Sequence, residues 1–249
     1  MRGAALITGA ARRIGRELAL EAARLGYDVA IHHRDAIEDA AGLGQEITGL
    51  GRRTLLLHAD LADEAEVAGL IPQAAEALGP VTLLVNNASL FEDDRLQTMT
   101  RASWDAHMAV NLRAPIVLLQ AFAAALPPER HGLAVNILDQ RVTRPNPLFF
   151  SYTLAKTALH SATMMAAQAL GPRIRVNGVG PGPTLPSIHQ QPEDFAAEAA
   201  ATLLRRSIHP SEIAAALRYL VDAPSVTGQM ICVDAGQHLA WQTPDIIGV

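Results

Sequence analysis

The stretch Ala4-Ala5-Leu6-Ile7-Thr8-Gly9-Ala10-Ala11-Arg12-Arg13-Ile14-Gly15 decides how this chain folds. Its first four residues are apolar without alternation, as in a strand buried on both faces. Thr8 to Gly15 is then a turn of mostly small residues, and helical periodicity takes over across Arg13–Leu25. Strand, tight turn and helix together open a βαβ unit. Such a turn lets backbone approach a phosphate, whose charge the amides at the helix N-terminus favour. The spacing is not the strict G-x-G-x-x-G, so the turn by itself fits either a cofactor cradle or an ordinary β–α connection.

Outward from this unit the alternation continues. Asp28–His32, Arg53–His58, Val81–Asn86, Gly132–Leu138, Arg173–Val179 and Gln229–Val233 read as further strands. Ala36–Leu50, Glu64–Leu78, Trp104–Ala125, Tyr152–Leu170 and Glu212–Asp222 read as helices between them, several ended by Gly or Pro. This pattern predicts a single α/β domain over 1–249. Its architecture is a Rossmann-type, doubly wound parallel sheet of about seven strands with helices on both faces. Ligands then bind beyond the strand C-termini. The one interruption, a Pro-rich turn and an alanine-rich helix, predicts a substrate lid at about 183–206.

Composition narrows the function classes. Of 249 residues, 49% are hydrophobic and 18% charged, which excludes a disordered chain. A net charge of −5 offers no basic face to nucleic acid. The single cysteine, Cys232, rules out an intrachain disulfide and a cysteine-rich zinc site, and no metal is expected. The longest membrane candidate, Ala114–Leu126, is short and contains Pro115 and Gln120. With no signal peptide evident in the first residues, a cytoplasmic protein without a membrane partner is expected. Nineteen of the 20 basic residues are arginine, and the lone lysine is Lys156.

The strand ends carry the chemistry. After the second strand, Ile31-His32-His33-Arg34-Asp35 lacks the immediate acidic residue that grips an adenosine ribose. His33 and Arg34 instead present positive charge to a 2′-phosphate, with Arg13 available from the first turn, so NADPH is the expected cofactor. Asp35 would repel that phosphate and is expected to point away. Asp60, followed by Leu61, could accept from an adenine amino group or cap the next helix. Asn86-Asn87-Ala88-Ser89 places two amides at the switch-point crevice, and Asn111 sits oddly between Val110 and Leu112 within a helix. In Ser151-Tyr152-Thr153-Leu154-Ala155-Lys156, Tyr152 and Lys156 are i and i+4 and share one helix face. An ammonium beside a phenol favours phenolate, which predicts a lowered Tyr152 pKa and a general acid. Arginine would be bulkier there and donate with a different geometry.

From the Thr8-Gly9 turn to Val233-Asp234-Ala235-Gly236 the sequence resembles the short-chain dehydrogenase/reductases. The resemblance implies Tyr152 as proton donor, Lys156 as its activator and ribose clamp, and Asn111 as a water-holding relay. It places Gly9, Ile14, Gly15, Leu61, Asn87 and Ala88 around the cofactor, with Pro181 and Gly182 on the nicotinamide side. The family's usual serine, thirteen residues before the tyrosine, is here Asp139. Aspartate at that position is similar to the pteridine and dihydromonapterin reductases. So are Arg13, the His33-Arg34 pair, Ser89 with Phe91, and Thr184 in Pro181-Gly182-Pro183-Thr184. Asp35 and the bulky Leu90 depart from that branch.

The resemblance implies reduction of a dihydropterin. Phe91 would stack on the flat ring, Arg13 and Ser89 would reach its edge, and Asp139 and Tyr152 would share proton delivery. To donate near neutral pH, Asp139 would have to be held protonated. Two alternatives stand beside this: a carbonyl or 3-oxoacyl reductase on the same fold, and a non-enzymatic NADPH-binding sensor. A homotetramer is expected from the family and from the apolar faces of the helices over Trp104–Ala125 and Tyr152–Leu170.

Overall fold

The computed structural model describes residues 2–187 and 190–241. Seven parallel strands form one sheet in the order β3-β2-β1-β4-β5-β6-β7. They are β1 (Ala4–Ile7), β2 (Asp28–His33), β3 (Thr54–His58), β4 (Val81–Asn86), β5 (Gly132–Ile137), β6 (Ile174–Pro181) and β7 (Met230–Val233). The chain runs outward from β1 to β3, then crosses back to β4 on the other side of β1. That reversal opens a crevice beyond the C-terminal ends of β1 and β4.

Helices cover both faces, as the doubly wound reading requires. On one face α1 (Arg13–Arg24), α2 (Ile37–Gly49) and α8 (Pro210–Asp222) bury Leu18, Leu43, Ile47 and Leu217 against Ile7, Ile31 and Val85. On the other, α3 (Glu64–Leu78) and α5 (Ala114–Ala125) bury Leu70, Ile71, Leu118 and Phe122 against Leu6, Leu84 and Ala134. Both clusters use residues of the same strands, which is why those strands are apolar without alternation. The helix α6 (Phe150–Leu170) packs on β6, and α7 (Pro192–Ala200) is the alanine-rich helix of the expected lid. Ile188 and His189, also in that lid segment, lie outside the described residues.

The helix expected from Trp104 differs in two respects. It begins three residues earlier, as α4 (Arg101–Met108), because Thr100 and Ser103 form a reciprocal capping box. Between α4 and α5, Ala109–Arg113 forms a π-helical turn. The whole run Arg101–Ala125 is long and apolar enough to cross a membrane by length and composition, which the short Ala114–Leu126 window did not reveal. It contains Arg101, Asp105 and Arg113, and it packs against α3 and α6.

Candidate active site

The first turn is held open by glycine and bound to its neighbours on both sides. Gly9 has φ +60, and a Cβ on Gly15 would lie 2.1 Å from the Gly9 carbonyl oxygen. No side chain fits there, so the turn presses directly on α1 and leaves its outer face free for phosphate. Arg13 stands at φ 55, a left-handed conformation that costs a non-glycine residue about 1 kcal/mol. Its guanidinium donates to the carbonyls of Pro186 (3.0 Å) and Leu185 (3.1 Å), so Arg13 reaches from the turn to the lid. Asn87 donates from Nδ2 to the Thr8 and Gly9 carbonyls at 2.9 and 3.1 Å, and the Thr8 hydroxyl accepts from the amides of Asn87 and Ala88. His32 completes the clamp: Nδ1 accepts from the Gly9 amide at 3.0 Å, leaving Nε2–H for the Ala59 carbonyl at 3.1 Å. Burial pushes the His32 imidazole down to about 4, fixing this neutral tautomer.

Around this turn a cleft of about 890 Å3 runs along the strand ends. Gly9, Arg13, Ile14, Gly15, His33, Arg34, Asp60, Leu61, Asn87, Ala88 and Ser89 line it, as do Pro181, Gly182 and Thr184. So do Phe91, Asp139, Tyr152 and Lys156. The structure thus brings every expected site residue except Asn111 onto one surface. His33 Nδ1 is buried without a hydrogen-bond partner among the described residues, as suits a group awaiting a ligand. Together with the glycine cradle, it fits a dinucleotide phosphate and ribose.

One expectation at this end needs correcting, that for Asp35, while Asp60 and Asn111 are given their places. Asp35 is not turned away: it lines the same cleft, and its Oδ2 accepts from Arg34 Nε at 2.6 Å. The two are chain neighbours at an exposed corner, where pairing is the local way to satisfy both charges. Asp60 does not cap α3; its Oδ1 accepts from the Ala62 amide at 2.9 Å in a tight turn, and Asp63 is the cap. Asn111, in the π-helical turn, holds backbone: Nδ2 donates to the Leu90 carbonyl, and Oδ1 accepts from the Leu90 amide, each at 2.9 Å. Oδ1 also accepts from Ser89. The widened turn aims a helical amide sideways, and the loop after β4 is pinned by it.

At the other end of the cleft, Tyr152 donates its hydroxyl proton to Asp139 Oδ2 at 2.8 Å. Lys156 Nζ donates to the Ile137 carbonyl at 2.8 Å, and burial pushes its ammonium down to about 8. The phenol moves the opposite way from the sequence expectation. Burial, then the charge and hydrogen bond of Asp139, raise Tyr152 well above the usual value, although Arg141 pulls it down. Burial outweighs the pull of an ammonium on the phenol, and the nearby Asp139 carboxylate adds to it.

Phe91 is not a free platform either. It stacks on Phe149 with ring centroids 4.1 Å apart and meets Tyr152 edge-on at 4.8 Å. Phe149 gave no signal in the sequence, since it neighbours a helix start that it cannot cap. Asp94, from the loop after β4, supplies that cap: its Oδ1 accepts from the Ser151 amide and its carbonyl from the Phe150 amide. The buried His107 and Ser151 share a 2.7 Å hydrogen bond beside it. Arg141 also escaped the sequence reading. Its amide donates to Asp139 Oδ1 at 2.8 Å, and its guanidinium pairs with Oδ2 at 3.4 Å. Only the spacing Asp-x-Arg could have hinted at it.

Sheet order, glycine turn and the Tyr152–Lys156 face define a class, and the comparisons agree. A family model described as Enoyl-(Acyl carrier protein) reductase matches residues 9–238, and the chain belongs to the short-chain dehydrogenase/reductase family of oxidoreductases. Within that family it is similar to the FolM alternative dihydrofolate reductase 1 of Brucella suis, crystallised with NADP. The two are 47% identical over 98% of each chain, with a TM-score of 0.94. The Brucella canis protein of the same name is 46% identical over 98% of each chain, with a TM-score of 0.92. A 3-oxoacyl-[acyl-carrier-protein] reductase, FabG of Staphylococcus aureus strain Mu50, is 31% identical over 96% of this chain and 99% of its own.

Proposed function

We propose that this protein is an NADPH-dependent reductase of 7,8-dihydropterins. Its cofactor is NADP(H), which the glycine turn, His33 and Arg34 are built to hold. The observation that carries the substrate reading is the 2.8 Å hydrogen bond between Tyr152 and Asp139, where carbonyl reducers place a serine. The likeness to the FolM proteins supports it.

Bound NADPH would supply a hydride to C6 of the dihydropterin; the C6=N5 double bond would become single with a new C6–H bond, and N5 would take a proton. Tyr152 holds that proton. Burial keeps the phenol neutral at working pH, and the hydrogen bond to Asp139 fixes its direction. The proton passes to N5 from this hydrogen-bonded pair, and solvent restores it afterwards. Lys156, anchored on Ile137, lies on the same helix face and offers its remaining N–H groups to the ribose. Phe91 and Phe149 line the cleft as one aromatic pair, against which a flat substrate can dock. Arg13 ties the phosphate turn to the lid over the ring edge.

The test is NADPH oxidation with dihydromonapterin, dihydrobiopterin and dihydrofolate, beside a panel of ketones and a 3-oxoacyl thioester. Turnover of a dihydropterin is expected. Turnover of ketone or thioester alone would transfer the assignment to the carbonyl-reductase reading, which the FabG likeness keeps as its rival. NADPH binding without turnover of any of them would favour the sensor. For assembly, the exposed Met164 and Met165 on α6 support a homotetramer, measurable by light scattering.

A further inference from the structure

We infer that Arg141 is the positioning residue of the proton-delivering pair: its guanidinium, seated against the Phe91–Phe149 stack, holds the Asp139 carboxylate where it accepts from Tyr152. The inference rests on the reductase reading, with Tyr152 as donor, and not on the identity of the substrate.

The geometry is specific. Asp139 lies just beyond β5 and opens a 3-10 turn over Gln140–Val142. Left alone, its carboxylate could rotate toward solvent in the cleft. Arg141 takes it at both oxygens, from its amide to Oδ1 at 2.8 Å and from its guanidinium to Oδ2 at 3.4 Å. Oδ2 is the same oxygen that accepts from Tyr152. The guanidinium is itself fixed, 5.5 Å from the Phe91 ring centre and 5.1 Å from that of Phe149. Its Nε–H is buried without a partner among the described residues, so the side chain is held by these contacts at the expense of one donor. One arginine therefore connects the aromatic surface that receives a flat ring to the carboxylate that orients the proton. A ring docking on Phe91 presses on the same stack that sets the arginine, so substrate seating and proton alignment are coupled through Arg141.

The test compares Arg141→Lys and Arg141→Met with the wild type in the full chain. The readouts are kcat and KM against pH with whichever substrate turns over, NADPH affinity by fluorescence titration, and thermal melting. Arg141→Met should lower kcat by about 10²-fold, the scale of an ångström-level misplacement, with NADPH affinity unchanged. The alkaline limb of its pH profile should move to higher pH, because a cation near Tyr152 has gone. Arg141→Lys should restore that limb but raise KM, since a compact ammonium cannot span both the Asp139 carboxylate and the Phe91–Phe149 pair as the guanidinium does. A pH profile superimposable on the wild type, whatever the kcat, would overturn the inference and leave Arg141 a wall of the cleft. Should Arg141→Met fail to fold, Arg141→Lys decides: wild-type KM and pH profile together would overturn it. A wild type that reduces only ketones sinks the pterin reading while the Arg141 comparison proceeds on the ketone. A wild type that reduces neither sinks both.

Discussion

The hydroxyl of Tyr152 and the carboxylate of Asp139, thirteen residues apart in sequence, meet at 2.8 Å across the end of β5. One comes from the first turn of α6 and the other from the strand end that α6 crosses, so the pair is made by topology. Asp139→Ser keeps a hydrogen-bonding group but removes the carboxylate that shares the proton. Dihydropterin reduction should then fall by roughly the 10²–10⁴-fold ascribed to general acid catalysis, with Tyr152 recovering part of it. Single-turnover kinetics with saturating NADPH check this. An unchanged rate would remove Asp139 from proton delivery.

Lys156 should not tolerate arginine. Its Nζ sits in a fully buried pocket, donating to the Ile137 carbonyl, with the Tyr152 ring centre 5.8 Å away. A guanidinium is larger, planar and forked, and cannot occupy that point without displacing β5 or the phenol. Lys156→Arg is expected to lose turnover and to bind NADPH more weakly. Near-normal kcat/KM would show that charge alone suffices.

The fold was legible because the central strands are buried on both faces and several connections end in Gly, Pro or a capping residue. All seven strands and the helices between them fall where periodicity puts them, with ends shifting by a few residues. The site was legible where chemistry sits on regular elements, as with Tyr152 and Lys156 on α6 or Gly9 and Gly15 around the first turn. Arg141, Phe149 and Asp94 were not. They act from irregular segments whose course is set by long-range contacts: the 3-10 turn after Asp139, and a loop 57 residues from the Ser151 amide it caps. The sign of the Tyr152 shift failed for the same reason. Helical spacing reveals a lysine four residues on, but not how deeply the phenol is buried or how near it a carboxylate from a strand end lies.

Cofactor choice should depend on the Arg34–Asp35 pair. Arg34 is exposed, and its Nε is engaged by Asp35 at 2.6 Å, leaving its terminal nitrogens for a 2′-phosphate. Arg34→Ala should weaken NADPH by about 1.5 kcal/mol, or tenfold, and leave NADH nearly untouched. Asp35→Ala should do the reverse, tightening NADPH several-fold by removing a like charge, with the gain fading at high salt. Titrating both cofactors against both variants checks this. Equal losses for NADPH and NADH on Arg34→Ala would detach Arg34 from the phosphate.

Acid sensitivity should trace to His32. The folded protein holds this imidazole neutral, its pKa lowered to about 4 by burial, whereas an unfolded chain titrates near 6.5. Between those values the unfolded state binds a proton that the folded state does not, so stability falls as pH drops from about 6.5 toward 4. Below 4 both states are protonated and the loss levels off. The full difference is on the order of 3 kcal/mol. Protonation at Nδ1 also removes the acceptor for the Gly9 amide, so the phosphate turn should loosen at the lower end of this window, before the sheet gives way. Urea unfolding at pH 7.5, 5.5 and 4.5, for wild type and His32→Asn, measures the slope. Asn can accept from Gly9 and donate to Ala59 without titrating, so its stability should change less across this range. Equal pH slopes for the two proteins would show that His32 is not the group whose protonation destabilises the fold.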